Sequence, residues 1–203
     1  MNKNLFLIHG AWASPGSFNY IVKKTLDDCP VGRIHTFRYD CQKEDIHVIL
    51  EKATLELLKI QENGLETVIV GHSLGGLLAL NLSQLPGISK TITLASPVGG
   101  LQFPRFLHYY LTYHAPILKH LIPSSHFIRS LHEKSYDKNP MELIITTGGF
   151  NPMIYEDSDG VVTFAAQTSW KPEQANIIFS NTDHHEILQS ADALYYIEKA
   201  LTI

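Results

Sequence analysis

Cysteine is scarce in this chain: Cys29 and Cys41 are the only two, they form no CxxC pair, and neither sits in a metal-ligand spacing. A disulfide framework and a thiolate metal centre are therefore not what organises it. The pattern reads as two idle thiols in a reducing compartment, with one disulfide as the open alternative. Charge is sparse as well, at 18% Asp, Glu, Lys and Arg, with a net charge of −4. That balance lacks the basic excess of a general nucleic-acid binder. No repeat, low-complexity tract or Pro/Gly/Ser-rich linker divides the 203 residues, so a single domain over residues 1–203 is expected. No apolar run reaches the length of a transmembrane helix. The first one, Leu5–Ile8, is too short for a signal-peptide core. A cytoplasmic location is expected, although export without a cleaved signal leaves no such trace.

What is present is an alternation. Leu5–Ile8, Arg33–Tyr39, Val68–Val70, Thr91–Leu94, Met141–Thr146 and Asn176–Phe179 are short apolar or β-branched runs and read as strands. Helical patterns fall between them: Phe18 to Asp27, and Asp45 to Gln61 with Ile46, Ile49, Leu50, Ala53, Leu57 and Ile60 on one stripe. Further candidates are a short helix over Thr163–Thr168 and a closing one over His185–Leu201. Strands alternating with helices imply an α/β fold, doubly wound, with a mostly parallel sheet of about six strands and helices on both faces.

One junction is unusual. In VIVGHSLGGLLAL (Val68 to Leu80) a strand runs into a helix whose stripe is Leu74, Leu77, Leu78, Leu82 and Leu85. Ser73 stands at the corner between Gly71 and Gly75. A turn this sharp strains its central residue, and a Cβ two residues to either side would collide with the crossing strand or helix. The serine hydroxyl is then held clear of the sheet, beside the unpaired N–H groups of a helix start. This is the G-x-S-x-G nucleophile elbow.

A serine that transfers acyl groups needs a base, an acid to orient the base, and N–H donors for the oxyanion. On a doubly wound sheet these come from loops at the C-terminal ends of strands. Leu74 N–H, directly after the serine, is one donor. The loop HGAW after the first strand supplies the other, because Gly10 lets the backbone turn Ala11 N–H inward. His9 is then a loop anchor, with a role as base as its alternative. In FSNTDHHEILQS both His184 and His185 are candidate bases; Glu186 begins the helix, which leaves His184 nearer the strand end. Adjacent side chains diverge in an extended loop, so Asp183 is not the partner of His184. In YEDSDGVVTF, Asp159 precedes a glycine and a β-branched pair and is the candidate acid, whereas Glu156 and Asp157 read as solvated carboxylates. The order Ser73, Asp159, His184 is the one this architecture requires.

These motifs, LFLIHGAW, VIVGHSLGG, TITLASP, DSDGVV and DHHEIL, span nearly the whole chain. Together they resemble the α/β-hydrolase superfamily, in particular its small lipase- and esterase-like members. The resemblance implies hydrolysis of a small-molecule ester by Ser73 as nucleophile, His184 as base and Asp159 as acid, with Ala11 and Leu74 as oxyanion donors. It implies no cofactor and no metal. The HGAW opening also resembles that of methyl esterases and hydroxynitrile lyases, so thioesterase, amidase and lyase chemistry, or ligand binding without catalysis, stay open.

The segment 98–140 breaks the alternation where this fold often inserts a cap. From Pro97 to His132 there is no Asp or Glu, while Arg105, Lys119 and Arg129 contribute +3. Six of the eighteen Phe and Tyr residues lie there. Such a segment can bury apolar surface against the core, wall an acyl pocket or rest on an anionic lipid interface. Pro116 and Pro123 would break it into short helices. Trp12, Phe103, Tyr109 and Tyr110 are the candidate substrate-binding side chains, and lipid-like acyl groups the expected substrates.

Overall fold

The computed structural model describes residues 2–102 and 115–203. Six strands form one sheet: β1 (Lys3–Ile8), β2 (Val31–Phe37), β3 (Thr67–His72), β4 (Ile88–Leu94), β5 (Met141–Thr146) and β6 (Ala175–Ser180). Their order is β2-β1-β3-β4-β5-β6, and every neighbouring pair is parallel. A parallel sheet must be covered on both faces, and every residue of β3 and β5 is buried.

Successive strand side chains point to opposite faces, and the two cores divide accordingly. Leu5, Leu7, Val68, Val70, Ile92 and Ile144 pack beneath α1 (Asn19–Asp28) and the C-terminal helix (Ala191–Thr202). Phe6, Ile8, Ile69, Leu143 and Ile145 pack beneath α2 (Ile46–Ile60) and α3 (Leu74–Leu82). The stripe read from the sequence of α2 is this buried face: Ile46, Ile49, Ala53, Leu57 and Ile60 are all buried.

Among the described residues three helices follow: α4 (His126–Glu133), the short α5 (Phe164–Thr168) and the C-terminal one, α6 (Ala191–Thr202). Within the segment 98–140, the described residues include a 3-10 turn at Pro116–His120 and α4. Ile117, Leu118, Leu121, Phe127, Ile128 and Leu131 are buried in the same core as α3. The closing helix starts later than its sequence pattern suggests. Glu186–Gln189 is a 3-10 turn, then Ser190 takes an extended backbone and its hydroxyl accepts the Ala193 N–H at 3.0 Å. A serine that caps in this way competes with helix continuity.

The chain runs from β1 outward to β2, then crosses back to β3 on the other side of β1. This reversal is the topological switch point, outside whose carboxyl strand ends ligands bind in open α/β sheets. His9 and Gly10 leave β1 there, and Ser73 leaves β3.

Candidate active site

Ser73 connects β3 to α3 with φ 53° and ψ −122°. A non-glycine residue rarely adopts that conformation, and such strain persists only where its surroundings enforce it. The enforcement is visible on both sides. The Ser73 N–H donates to the Leu94 carbonyl at 2.9 Å, which ties the corner to β4. A Cβ on Gly71 would strike the Gly75 carbonyl, and one on Gly75 would strike the carbonyls of Ile8 and His9. The two glycines allow helix, strand and first loop to approach this closely.

Asp159 and His184 meet across 25 residues of sequence. His184 Nδ1 donates to Asp159 Oδ2 at 2.8 Å, and the His184 backbone N–H donates to the Asp159 carbonyl at 3.0 Å. An ionised carboxylate only accepts, so this bond places a proton on Nδ1, and in the neutral ring Nε2 is then the lone-pair acceptor. Both residues are buried, at 1% and 4% exposure. Thr146 Oγ1 donates to Asp159 Oδ2 at 2.6 Å, and the Val161 and Val162 amides donate to Oδ1 at 3.0 and 2.7 Å. Burial pushes the carboxyl upward, but the His184, Thr146 and Val162 donors outweigh it and hold it below the ordinary carboxylate range.

His184 is tied to the elbow through His72, the residue before Ser73. His72 Nε2 donates to the His184 carbonyl at 2.7 Å, and the two rings lie 4.7 Å apart. Burial, then the neighbouring His184, lowers the His72 pKa to about 3, so it is a neutral support. Its Nδ1 is buried without a partner among the described residues. The Ser73 hydroxyl makes no hydrogen bond among the described residues. Catalytic hydrogen bonds are commonly loose before substrate binds.

The first loop packs directly on the elbow: a Cβ on Gly10 would stand 3.1 Å from that of Ser73. His9 is buried. Its Nδ1 donates to the Gly10 carbonyl at 2.7 Å, its ring stacks on Tyr39 at 4.3 Å, and the Tyr39 hydroxyl donates to the His9 carbonyl at 2.7 Å. His9 thus braces the turn that presents Ala11. Leu74 is the first residue of α3, and its N–H has no intrahelical partner. Neither the Ala11 nor the Leu74 amide is engaged among the described residues. Trp12 has φ 55° and is 55% exposed. Phe103, Tyr109 and Tyr110 lie outside the described residues.

The structure separates the alternatives that sequence position left close. Asp157 and Glu156 are exposed, and so is His185, while Asp159 and His184 are enclosed together. It also adds participants that the sequence did not signal. Besides Thr146 and His72, Gln167 exchanges two hydrogen bonds with the Thr146 backbone, at 2.9 and 3.0 Å, and fixes the strand end that holds Asp159. Only the position of Thr146 at the end of a strand could have pointed to it. Cys29 and Cys41 are both free thiols.

Comparison with known proteins agrees with this architecture. The chain is similar in fold to a Bacillus licheniformis lipase, with a TM-score of 0.74 and 16% identity over 100% of this chain and 93% of that one. It is also similar to the Paleococcus ferrophilus monoacylglycerol lipase, with a TM-score of 0.63 and 16% identity over 97% and 91%. The phospholipase PlaB from Legionella pneumophila gives a TM-score of 0.71 and 14% identity; all of this chain aligns to 60% of that one. No curated protein matches the chain in sequence. The profile of the Alpha/beta hydrolase family matches residues 5–186, and with the all-parallel sheet and the strained serine elbow it establishes that the chain belongs to the alpha/beta hydrolase family.

Proposed function

We propose that the chain is a serine hydrolase that cleaves carboxylic esters through an acyl-enzyme. The observation that carries this reading is the buried Asp159–His184 hydrogen bond at 2.8 Å, with His72 linking that histidine to the strained Ser73. Ser73 Oγ attacks the ester carbonyl while His184 Nε2 takes its proton. The oxyanion that forms is held by the Ala11 and Leu74 amides. His184 then returns the proton to the leaving alcohol. Water, deprotonated by His184, attacks the acyl-enzyme and regenerates Ser73. Asp159 keeps the imidazole in the Nδ1–H tautomer and stabilises its charged form.

The preferred acyl groups in this reading are apolar and lipid-like, with the basic segment 98–140 as a cap at a lipid interface. Support comes from the composition of that segment and from the lipases among the structural relatives. A fluorophosphonate probe tests the chemistry. Labelling of the wild type but not of Ser73→Ala is expected, and equal labelling of both would overturn the reading. Hydrolysis rates from acetyl to decanoyl esters, with and without Tyr109→Ala and Tyr110→Ala, test the acyl preference. A wild type with no preference beyond acetyl would remove the lipid-like part alone.

A further inference from the structure

A cleft of about 710 Å³ opens beside the candidate oxyanion loop and is used by nothing in the mechanism above. It runs from His9 and Trp12, past the end of β1, to Arg38, Tyr39 and Cys41, past the end of β2. The strand register sets its distance from the chemistry. Ile8 is level with Phe37 on one side and with Gly71 on the other. Neighbouring strands lie about 4.8 Å apart, so the backbone of Arg38 stands roughly 10 Å from that of Ser73, two strand spacings across the sheet edge.

The lining carries three carboxylates, Asp40, Glu44 and Glu56, and one guanidinium, that of Arg38; each carboxylate has a cationic or imidazole partner outside the lining. Asp40 pairs with Lys43 at 3.3 Å, Glu44 with Lys52 at 2.9 Å, and Glu56 with His35. Arg38 is exposed and makes no salt bridge among the described residues. Its charge reaches the loop, where it adds to burial in keeping His9 neutral. Trp12 also lines the cleft, in a left-handed conformation, with its backbone N–H donating to Cys41 Sγ at 3.3 Å and the residue more than half exposed. A strained, exposed aromatic in the same cleft as a guanidinium without a salt bridge is an arrangement that folding alone does not require. A planar fork of donors suits a carboxylate or a phosphate.

We propose that this cleft binds a negatively charged group of the substrate, anchored on Arg38, whose backbone lies roughly 10 Å from that of Ser73, with the intervening chain lying on Trp12. The substrates are then esters carrying a remote anionic group. The proposal rests on the serine-hydrolase reading for its geometry and goes beyond it in naming Arg38 as the specificity-determining residue.

Two matched substrate pairs locate the charge. Mono(4-nitrophenyl) azelate against 4-nitrophenyl nonanoate puts it on the acid half. The octanoyl esters of 6-hydroxyhexanoate and of 1-hexanol put it on the alcohol half. In at least one pair the wild type is expected to favour the anionic member about tenfold in kcat/KM, equivalent to about 1.4 kcal/mol. Arg38→Gln should reduce that ratio to within about twofold while leaving the neutral ester unchanged, and Arg38→Lys should restore most of it. The preference should shrink in 1 M salt, where the screening length is about 3 Å. Identical ratios in wild type and Arg38→Gln, in both pairs, would overturn the proposal and leave ester hydrolysis standing. If no ester is cleaved, binding decides instead: calorimetric titration of monomethyl azelate into Ser73→Ala should show affinity that Ser73→Ala/Arg38→Gln loses, and equal affinity overturns the anion site.

Discussion

His184 is joined to Asp159 twice, by Nδ1 to the carboxylate at 2.8 Å and by its backbone N–H to the Asp159 carbonyl at 3.0 Å. The side-chain bond sets the tautomer, and the backbone bond fixes where the ring stands. Asp159→Asn keeps the backbone bond but replaces a carboxylate with an amide that can donate to Nδ1, which favours the wrong tautomer. A loss in kcat on the order of a thousandfold or more is expected with near-normal folding. Asp157→Asn, at an exposed site, should leave kcat within about twofold. Steady-state kinetics on a nitrophenyl ester checks both.

His184→Ala should be as damaging as loss of the nucleophile. His185→Ala should cost less than about threefold, because His185 is exposed and makes no side-chain hydrogen bond among the described residues. A reversed ranking would move the base by one position.

The strain at Ser73 gives a stability prediction separate from rate. Both Ser73→Ala and Ser73→Gly should lose hydrolysis by several orders of magnitude. Glycine removes the Cβ that makes φ 53° costly, so Ser73→Gly should unfold at higher urea than Ser73→Ala, by about 1 kcal/mol. Equal midpoints would mean that the elbow stores little strain.

His72 sets a pH dependence of stability. Its pKa falls from 6.5 to about 3 on burial. Between those values the unfolded chain binds a proton that the folded chain excludes. Stability is therefore fully present above about pH 6.5 and declines as pH falls, by at most about 1.4 kcal/mol per pH unit from this group. Asp159, with its carboxyl held low, has the same sign but acts only below about pH 4. Urea midpoints from pH 7 to pH 4.5 should fall for the wild type and fall less steeply for His72→Gln. Parallel curves would show that His72 is not the group responsible.

Local rules were enough for much of this protein. The strands announce themselves because β-branched runs flanked by turn residues have few other uses, and α2 because its apolar stripe has a single period. Ser73 was legible because the crowding that requires glycine at positions 71 and 75 lies within two residues of it. The order Ser73, Asp159, His184 narrowed the candidate acid and base to short loops. Beyond that, sequence position could not go. Asp157 and Asp159, or His184 and His185, differ little in local propensity and are separated by which side chain the closed chain buries. Thr146 reaches Asp159 across 13 residues, and His72 reaches His184 across 112; no neighbouring residue records either contact. The same holds for Arg38 and Trp12, which border one cleft only because β2 and β1 run parallel and end level with each other. Backbone preference is settled within a few residues, whereas burial and the hydrogen bonds that satisfy it exist only once distant strands have paired.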